Sequence, residues 1–246
     1  MKKLLLLIFM TVAFTGLVTA QQKKAKAVDN FVDLTAGIGS SQGTGALSYV
    51  YNWKVGKRKR FELGLGARFT SYFGSNLYYT TAPAKLTSGK TDPTVLFTKD
   101  IQENIDSVLF PKAQINSLNL SLNFGYNFSK RFSAGLTIDA IGFSFGKKQS
   151  GFYYGNNFAT AVPVNARPTS FNLLLISDND RGSLNSELFA RYRWNDSWGV
   201  KLGLQFFFAE YTTDTEVQTT PSGDKNDRFR KKMAGVGIGV TYNFRK

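Results

Sequence analysis

The sequence contains no cysteine and no histidine. Without cysteine, disulfides, thiol nucleophiles and thiolate metal sites are excluded. Without histidine, the commonest general base and the commonest transition-metal ligand are both missing, so catalysis would depend on carboxylates, Lys, Tyr or Ser without an imidazole. We therefore expect a protein that is not an enzyme and that uses no cofactor.

Long apolar runs are also scarce, and the one clear run lies at the amino terminus. Lys2-Lys3 precede an almost wholly apolar stretch over 4–18, and Ala20 closes a short run of small residues. This order is typical of a secretory signal peptide, and the run is shorter than the roughly 20 residues that a membrane-spanning helix needs. We predict a cleaved signal peptide over 1–20, the alternative being an uncleaved anchor, and a single domain after it.

The remaining sequence alternates between large apolar and small or polar side chains, which is the period of a β-strand. The closing stretch 235–244 does so without a break, with valine, isoleucine and aromatic residues set against glycine, threonine and asparagine. Eight segments carry this alternation, at 32–39, 46–53, 61–70, 118–128, 132–141, 184–194, 198–206 and 235–244. The fifth segment changes phase near Ile141, which predicts a β-bulge.

The links between these segments are short at one end and mostly long at the other. Short links occur at 54–60, 129–131 and 195–197, and long ones at 74–114, 147–182 and 212–232. Together with an even strand number, this is typical of bacterial outer-membrane barrels. We predict an all-β fold: an eight-stranded antiparallel transmembrane up-and-down β-barrel over 30–246, with short periplasmic turns and long extracellular loops. A periplasmic segment over 21–29 would precede it.

A soluble barrel of the lipocalin type shows the same alternation, so the polarity of each face has to distinguish a soluble barrel from a membrane barrel. The polar face here is mostly Gly, Ser, Thr and Asn, which suits a narrow lumen better than a water-exposed surface. Aromatic residues beside the short turns predict a girdle at a membrane interface. They are Trp53, Tyr126, Phe128, Phe132, Tyr192, Trp194, Trp198, Tyr242 and Phe244. A second, looser set is predicted to mark the opposite interface: Tyr72, Phe73, Phe207, Phe208 and Tyr211.

The end of the chain, Gly239-Val240-Thr241-Tyr242-Asn243-Phe244, resembles the Gly-x-x-aromatic-x-aromatic signal by which barrel-assembly machinery recognises a last strand. With it, the whole mature chain resembles the small OmpA-like and OmpW-like outer-membrane barrels and, more loosely, the outer-membrane barrel family common in Bacteroidota. The resemblance implies the bacterial outer membrane as the location, with Gly239, Tyr242 and Phe244 as the assembly signal. Family members usually end on the aromatic residue, whereas Arg245 and Lys246 follow here.

The formal net charge of +14 is concentrated on the predicted periplasmic side. The basic rim there consists of Lys57, Arg58, Lys59, Arg60, Lys130, Arg131, Arg245 and Lys246. No basic face is interleaved with stacking aromatic residues, so nucleic acid is not an expected partner. We predict attraction to anionic phospholipid headgroups, the alternative being that basic turns keep the chain soluble in transit.

Seven charged residues fall on the predicted inward faces of the strands. They are Glu62, Arg68, Asp139, Glu187, Arg191, Arg193 and Lys201. Side chains nearly fill a barrel of eight strands, and buried charges have to be paired. We therefore predict a salt-bridged lumen rather than a pore, the alternative being a gated path for small solutes.

The long loops carry clustered aromatic residues with Asn and Gly at 152–157, and a further apolar stretch at 171–176. Such clusters are typical of adaptable binding surfaces, although they can equally pack on one another or on lipopolysaccharide. Four acidic residues share one loop without the spacing of an EF-hand, so a calcium site there is a minor alternative. These are Asp92, Asp100, Glu103 and Asp106.

These patterns predict an outer-membrane barrel that is structural, or that displays its extracellular loops to a protein or another surface ligand. The alternatives are a narrow or lateral-path transporter of small or apolar solutes and an outer-membrane enzyme. The missing histidine argues against the enzyme.

Overall fold

The computed structural model describes residues 28–156, 160–175 and 177–244. The predicted signal peptide, most of the 21–29 segment, Arg245 and Lys246 lie outside the described residues. Within those ranges, no helix combines the length and the hydropathy needed to cross a membrane. The first strand begins at Val28, two residues inside the segment that we had predicted to precede the barrel.

The described chain is an all-β antiparallel structure with a few short helical turns. Its strands are β1 (Val28–Gly39), β2 (Gln42–Val55), β3 (Phe61–Thr81), β4 (Ser107–Asn127), β5 (Phe132–Phe145), β6 (Gln149–Tyr154), β7 (Ala161–Pro168), β8 (Phe171–Leu173), β9 (Leu184–Arg193), β10 (Trp198–Thr213), β11 (Gln218–Thr219), β12 (Lys225–Asn226) and β13 (Arg228–Asn243). The helical segments are α1 (Ala84–Thr87) and three 3-10 turns, Pro93–Phe97, Gln102–Asn104 and Ser177–Asn179.

Eight strands close into a ring in which each strand pairs antiparallel with the next. The order is β1, β2, β3, β4, β5, β9, β10 and β13. The ring closes because β13 pairs back with β1, from Asn243 opposite Phe31 to Val236 opposite Ile38. Each of the eight alternating segments of the sequence coincides with one of these strands, to within one residue at its end. We call this part of the molecule the eight-stranded ring, the end with the short turns the turn end, and the other the loop end.

Apolar side chains of the eight-stranded ring point outward and polar ones point inward. On β1, Leu34 and Ile38 are 64% and 70% exposed, while Asp33 and Thr35, on either side of Leu34, are each 4% exposed. The predicted bulge is confirmed, since the register of β5 against β4 shifts by one residue beside Ile141. The ring is therefore polar inside and apolar outside, which is the reverse of a water-soluble domain.

Beyond this ring, the longer strands continue toward the loop end and close a second, narrower ring. There β4 pairs with β6, β6 with β7, β7 with β10, β10 with β13, and β13 with β3. The paired β3 and β4 complete this six-stranded ring. Its interior is an apolar core of Tyr72, Leu77, Tyr79, Val108, Phe110, Ala113, Ile115, Val164, Ala166, Phe207, Ala209, Tyr211, Phe229 and Met233.

The predicted long loops are wrong in part, because much of their length forms strands, most of them in the six-stranded ring. The link 74–114 shrinks to 82–106, and the links 147–182 and 212–232 contain strands β6 to β8 and β11 and β12. Alternation in the sequence is hard to follow there because the inward phase changes at Asn76, which has a positive φ of 52°, so that Tyr72 and Leu77, five residues apart, are both buried. The inward face also changes from polar to apolar at this level.

The second aromatic set was also wrongly predicted as an interface. Tyr72, Phe207 and Tyr211 are fully buried in the apolar core, and only Phe73 of this set is half exposed on the outer surface. The alternation of β3 and β10 already assigns these three residues to the inward side, since Arg68 and Gln205, at even spacing from them, also point inward. The prediction ended both strands too early.

Candidate functional site

A polar network on the turn-end side of the interior centres on Glu62. Its Oε2 accepts a hydrogen bond from Asn52 at 3.0 Å and its Oε1 accepts one from Asn127 at 2.7 Å. Arg191, from the far side of the ring, places Nη2 3.5 Å from Oε2 and its guanidinium 4.2 Å from the centroid of the Phe31 ring. The pair is 1–2% exposed, so solvent screens it little.

A second ion-paired group joins three strands through Lys201. Its Nζ lies 2.8 Å from Asp33 Oδ2 and 2.9 Å from Glu187 Oε2. The other oxygen of Asp33 accepts a hydrogen bond from Thr241 at 2.5 Å. Phe189 interrupts the alternation of its segment because it points inward, where its ring lies 5.4 Å from Lys201 Nζ.

A third group couples Arg68 to Asp139. Arg68 Nη1 lies 3.5 Å from Asp139 Oδ1 and donates to the carbonyl of Asn185 at 3.0 Å. The other oxygen of Asp139 accepts hydrogen bonds from Asn119 Nδ2 at 2.8 Å and from the backbone N–H of Asn185 at 3.0 Å. Both charged side chains are at most 2% exposed.

At the turn end, Arg193 completes the set of seven predicted inward charges. Its Nη1 lies 3.2 Å from Asp29 Oδ2, which also lies 3.3 Å from Lys54 Nζ. Each of the seven residues thus has an oppositely charged partner inside the ring. Two of those partners, Asp29 and Asp33, were absent from the predicted network, although Asp33 lies on the polar face of its segment and could have been included.

The apolar core of the six-stranded ring closes the polar interior on the loop-end side. Tyr72 stacks on Phe207 at 5.0 Å between ring centroids, directly beyond the hydrogen bond of 2.6 Å between Thr44 and Gln205. The Tyr72 hydroxyl donates to Gln42 at 2.7 Å. A solute on the axis would therefore have to displace paired charges first and packed aromatic rings next.

A further charged cluster lies on the outer face of the six-stranded ring. Glu210 is fully buried and accepts hydrogen bonds from Arg228 Nε at 2.8 Å and Arg230 Nη2 at 2.7 Å. Both arginines also donate to the carbonyl of Asp180, so the 177–183 segment covers the cluster. Burial on its own would raise the pKa of Glu210, but the guanidinium groups of Arg230 and Arg228 outweigh it and hold the pKa below its ordinary value.

The predicted loop aromatic residues at 152–154 are part of β6. The Tyr153 hydroxyl donates to Asp106 at 2.5 Å, and its ring lies 6.1 Å from that of Phe229 in the apolar core. Beside it, a cavity of about 670 Å³ is bounded by Glu103, Asp106 and Asn156. Among the described residues no three acidic side chains converge on a possible metal position, so the loop acids do not form the calcium site considered above.

The basic rim at the turn end is exposed in the two described turns that carry it. Its described members are Lys57, Arg58, Lys59, Arg60, Lys130 and Arg131. A cavity of about 290 Å³ separates the β2–β3 turn from Phe61 and Tyr126, whose rings contact each other at 4.9 Å. Cations and aromatic rings thus share one surface at this end.

The predicted assembly signal lies on β13. Gly239 faces the interior, where a Cβ would come within 2.8 Å of the Leu34 carbonyl and the Thr35 hydroxyl. Tyr242 and Phe244 point outward, and their rings contact each other at 5.3 Å. Trp198 contacts Tyr242 at 4.9 Å, which extends the aromatic surface around the turn end.

No protein-family model matches the sequence, and no curated protein is significantly similar to it. Similar solved structures include Neisserial surface protein A, at 8% identity and a TM-score of 0.36, with 90% of this chain and 100% of the other covered. Another is Ail, the attachment invasion locus protein of Yersinia pestis, crystallised with the heparin analogue sucrose octasulfate, at 7% identity and 0.35, covering 90% and 100%. A third is a major outer membrane protein from Thermus thermophilus, at 15% and 0.38, covering 89% and 100%. Likenesses this distant carry no argument about activity, which has to follow from the residues of this chain.

Proposed function

We propose that this protein is an eight-stranded transmembrane β-barrel of the bacterial outer membrane that does not conduct solutes and that displays a folded loop end outside the cell. The observation that carries the proposal is the reversed packing of the eight-stranded ring. Its outward apolar residues, such as Leu34 and Ile38, cover a continuous surface, while its charged residues are buried and paired. An exposed apolar surface of this extent requires a partner, and a lipid bilayer can cover every strand of a closed ring.

The height of the apolar surface supports a membrane in particular. On β3 the outward side is apolar from Phe61 through Leu65 to Phe69, which suits the roughly 9–11 residues with which a tilted strand spans a bilayer. Aromatic contacts such as Trp198–Tyr242 border this surface at the turn end, where an interfacial girdle is expected. The resemblance to OmpA-like, OmpW-like and Bacteroidota barrels stays a prediction from the pattern of the whole mature chain, and the assembly signal stays a prediction from the closing strand.

Fractionation of a Gram-negative host that expresses the complete chain tests the location. We expect the protein in the outer-membrane fraction and a folded form whose gel mobility changes on heating, as for other barrels. Recovery as a soluble periplasmic protein would overturn the proposal. A variant expected to fail is Leu34→Lys, since a cation at a lipid-facing position near the middle of the apolar surface costs about 2–4 kcal/mol and should reduce the folded, membrane-inserted fraction.

The paired interior and the apolar core favour display over transport. Lys201 holds Asp33 and Glu187 at 2.8 and 2.9 Å, and Tyr72 and Phe207 close the interior beyond them. Planar-bilayer recordings of the purified protein should therefore show no steady large conductance, with an open porin as the positive control. A stable open channel in the unmodified protein would overturn the closed interior and favour the transporter alternative.

The folded loop end supports display of a defined surface. Gln218 accepts from Thr81 at 2.9 Å and donates to the Asn104 carbonyl at 2.8 Å, so the 82–106 link and the β11–β12 hairpin are joined. Crosslinking intact cells and purifying the complex checks for an external protein or surface ligand.

We also propose two partners on the inner side. The exposed Lys57, Arg58, Lys59 and Arg60 suit attraction to anionic phospholipid headgroups, and Tyr242 and Phe244 suit recognition by the barrel-assembly machinery. What supports the first is that cations and aromatic rings lie beside each other at the end of the apolar surface, where headgroups meet acyl chains.

A further inference from the structure

The outer surface of the molecule has a basic pocket at the level where the eight-stranded ring narrows to six strands. The cavity has a volume of about 640 Å³. It is bounded by Lys148, Arg167, Arg181 and one carboxylate, Asp214, together with hydroxyl groups of the 168–170 link and of β10. It lies between the end of β5 and the end of β7. At this level β7 replaces β9 as the neighbour of β10, and β6 replaces β5 as the neighbour of β4.

Two of the three cations have no carboxylate partner within the described ranges. Arg167 is exposed on the outward side of β7, since the flanking Ala166 and Pro168 are buried. Arg181 is exposed and is fixed through its backbone, which exchanges two hydrogen bonds with Leu173 at 2.9 and 3.0 Å. Lys148 forms an ion pair with Asp214, so the pocket keeps an excess of positive charge.

Hydroxyl donors line the floor of the same pocket. The hydroxyls of Thr169 and Thr212 lie 2.8 Å apart, and the Thr169 backbone N–H donates to the carbonyl of Glu210 at 3.0 Å. Arginine forks and hydroxyl groups in one recess bind phosphate oxygens by charge-assisted hydrogen bonds.

An exposed aromatic patch continues from this pocket toward the turn end. Phe143, Phe145 and Phe171 are each 44–51% exposed on the outer surface. Phe143 pairs with Phe171, and the backbone N–H of Ser144 donates to the carbonyl of Ser170, a residue of the pocket, at 2.8 Å. Pocket and patch are therefore contiguous and face the same way.

We propose that this pocket binds the phosphate group of a phosphorylated glycolipid of the outer leaflet, whose acyl chains lie on the patch of Phe143, Phe145 and Phe171. The order of the two features carries the inference: cations on the loop-end side and apolar rings on the turn-end side match a lipid with phosphate above and acyl chains below. The inference rests on the proposed outer-membrane location and names a lipid that binds there.

Binding of bisphosphorylated lipid A to the purified protein in detergent tests the site. We expect Arg167→Gln with Arg181→Gln to weaken binding by about tenfold or more, because two unpaired cations are lost. Dephosphorylated lipid A should bind the unmodified protein as weakly as the intact lipid binds the variant. The matched control is Lys90→Gln with Lys99→Gln, which removes the same charge from exposed positions of the 82–106 link, outside the pocket, and should leave binding unchanged.

Native mass spectrometry and competition with inorganic phosphate separate the possible sources of the anion. Retained lipid that millimolar phosphate fails to displace supports the lipid site. Displacement by free phosphate, equal binding of dephosphorylated lipid A, or an unaffected double variant would overturn it. Outer-membrane fractionation of the same variant keeps the two proposals distinct, since a variant that inserts normally but does not retain the lipid leaves the location intact.

Discussion

The eight-stranded ring and the six-stranded ring share β3, β4, β10 and β13 but contain opposite kinds of side chain. In the first, Lys201, Asp33 and Glu187 are buried and leucine and isoleucine are exposed. In the second, Tyr72 and Phe207 are stacked in a fully buried apolar core. The same strands change their packing within a few residues, so the change reflects the surroundings of each level and not the type of sheet.

Two surroundings explain the change in physical terms. Apolar surface that faces acyl chains gains nothing from moving inward, so polar residues can fill the interior if they satisfy one another. In water, burial of apolar surface stabilises the fold at about 25 cal/mol per Å², which favours an apolar core in the six-stranded ring. The boundary between them lies near the hydrogen bond of Thr44 and Gln205 and supports the proposed outer edge of the membrane.

Of the changes that distinguish the two rings, removing a buried charge of the eight-stranded ring should lower the free energy of unfolding most. Lys201→Met leaves Asp33 and Glu187 buried without a cation, so we expect a loss of about 3–5 kcal/mol in the free energy of unfolding. Urea titration in lipid vesicles, followed by the heat-dependent gel shift, measures it. The triple variant that also carries Asp33→Asn and Glu187→Gln should regain much of the loss.

The control for that experiment is an exposed ion pair of the same type. Lys85 lies 3.4 Å from Asp224, with side chains 69% and 43% exposed. Lys85→Met should change the free energy of unfolding by no more than about 1 kcal/mol. Equal losses for Lys201→Met and Lys85→Met would contradict the importance of the buried pairing.

Two adjacent phenylalanines of β10 give the second comparison. Phe207 is fully buried in the apolar core, whereas Phe206 points outward and is about half exposed. Phe207→Ala should lower the free energy of unfolding by about 3–5 kcal/mol because it leaves a cavity. Phe206→Ala creates no cavity and should cost about 1–2 kcal/mol through lost contact with lipid. Denaturant titration of both variants in the same vesicles measures the difference, and a larger loss at Phe206 would sink the assignment of inside and outside.

The eight-stranded ring could be predicted because the polarity of each side chain alone indicates whether that position faces inward or outward. In β3, Leu63 and Leu65 alternate with glycines, and a Cβ at Gly64 would come within 2.7 Å of the Tyr51 carbonyl, so only one register satisfies both faces. The inward charges follow from the same phase, as Glu62 and Arg68 illustrate. Their individual partners do not follow, because pairing depends on which strands lie opposite each other across the interior.

The six-stranded ring was missed because its signal is locally ambiguous. The phase slips at Asn76, and the inward face becomes apolar beyond it, so Leu77 and Tyr79 no longer match the pattern of a polar lumen. The strand β7 is identified by pairing with residues far away in sequence, such as Tyr211 opposite Pro168. Contacts over such separations are set by the closed sheet as a whole and leave little mark on local composition.

Replacing Glu210, which holds the 177–183 segment on the outside of the six-stranded ring, should have an intermediate effect on the free energy of unfolding. Glu210→Gln keeps the shape of the side chain but removes the charge that Arg228 and Arg230 share, at a cost of about 2 kcal/mol. Hydrogen exchange at the amide of Arg181, which donates to the Leu173 carbonyl at 3.0 Å, reports the release of the segment. Glu216→Gln, in an exposed pair with Lys225, is the control and should leave that amide protected.

Glu210 should also make the free energy of unfolding depend on pH. The folded pKa of Glu210 lies below its ordinary value of 4.5, so its contribution is fully present above pH 4.5 and is lost as the pH falls through the lower folded value. Burial raises the pKa of Asp180, so its contribution to the free energy of unfolding is present in acid and is lost as the pH rises through the folded pKa. The difference in the free energy of unfolding between the unmodified protein and Glu210→Gln is therefore the quantity to compare, and it should shrink in acid as Glu210 is protonated. A difference that grows below pH 4.5 would contradict the sign.

The smallest effect on stability is expected at the basic rim, which lies outside both interiors. Replacing Lys57, Arg58, Lys59 and Arg60 by Gln removes exposed charges, none of which forms an ion pair within the described part of the chain, so the free energy of unfolding should change by no more than about 0.5 kcal/mol. Retention of anionic phospholipid should instead fall, by about 1 kcal/mol per cation at low salt. Co-purified lipid, quantified for the variant and for Lys85→Gln as a control at the loop end, measures it. Unchanged lipid retention would remove the support for headgroup binding and would leave solubility during export as the reason for the basic turns, without affecting the contrast between the two rings.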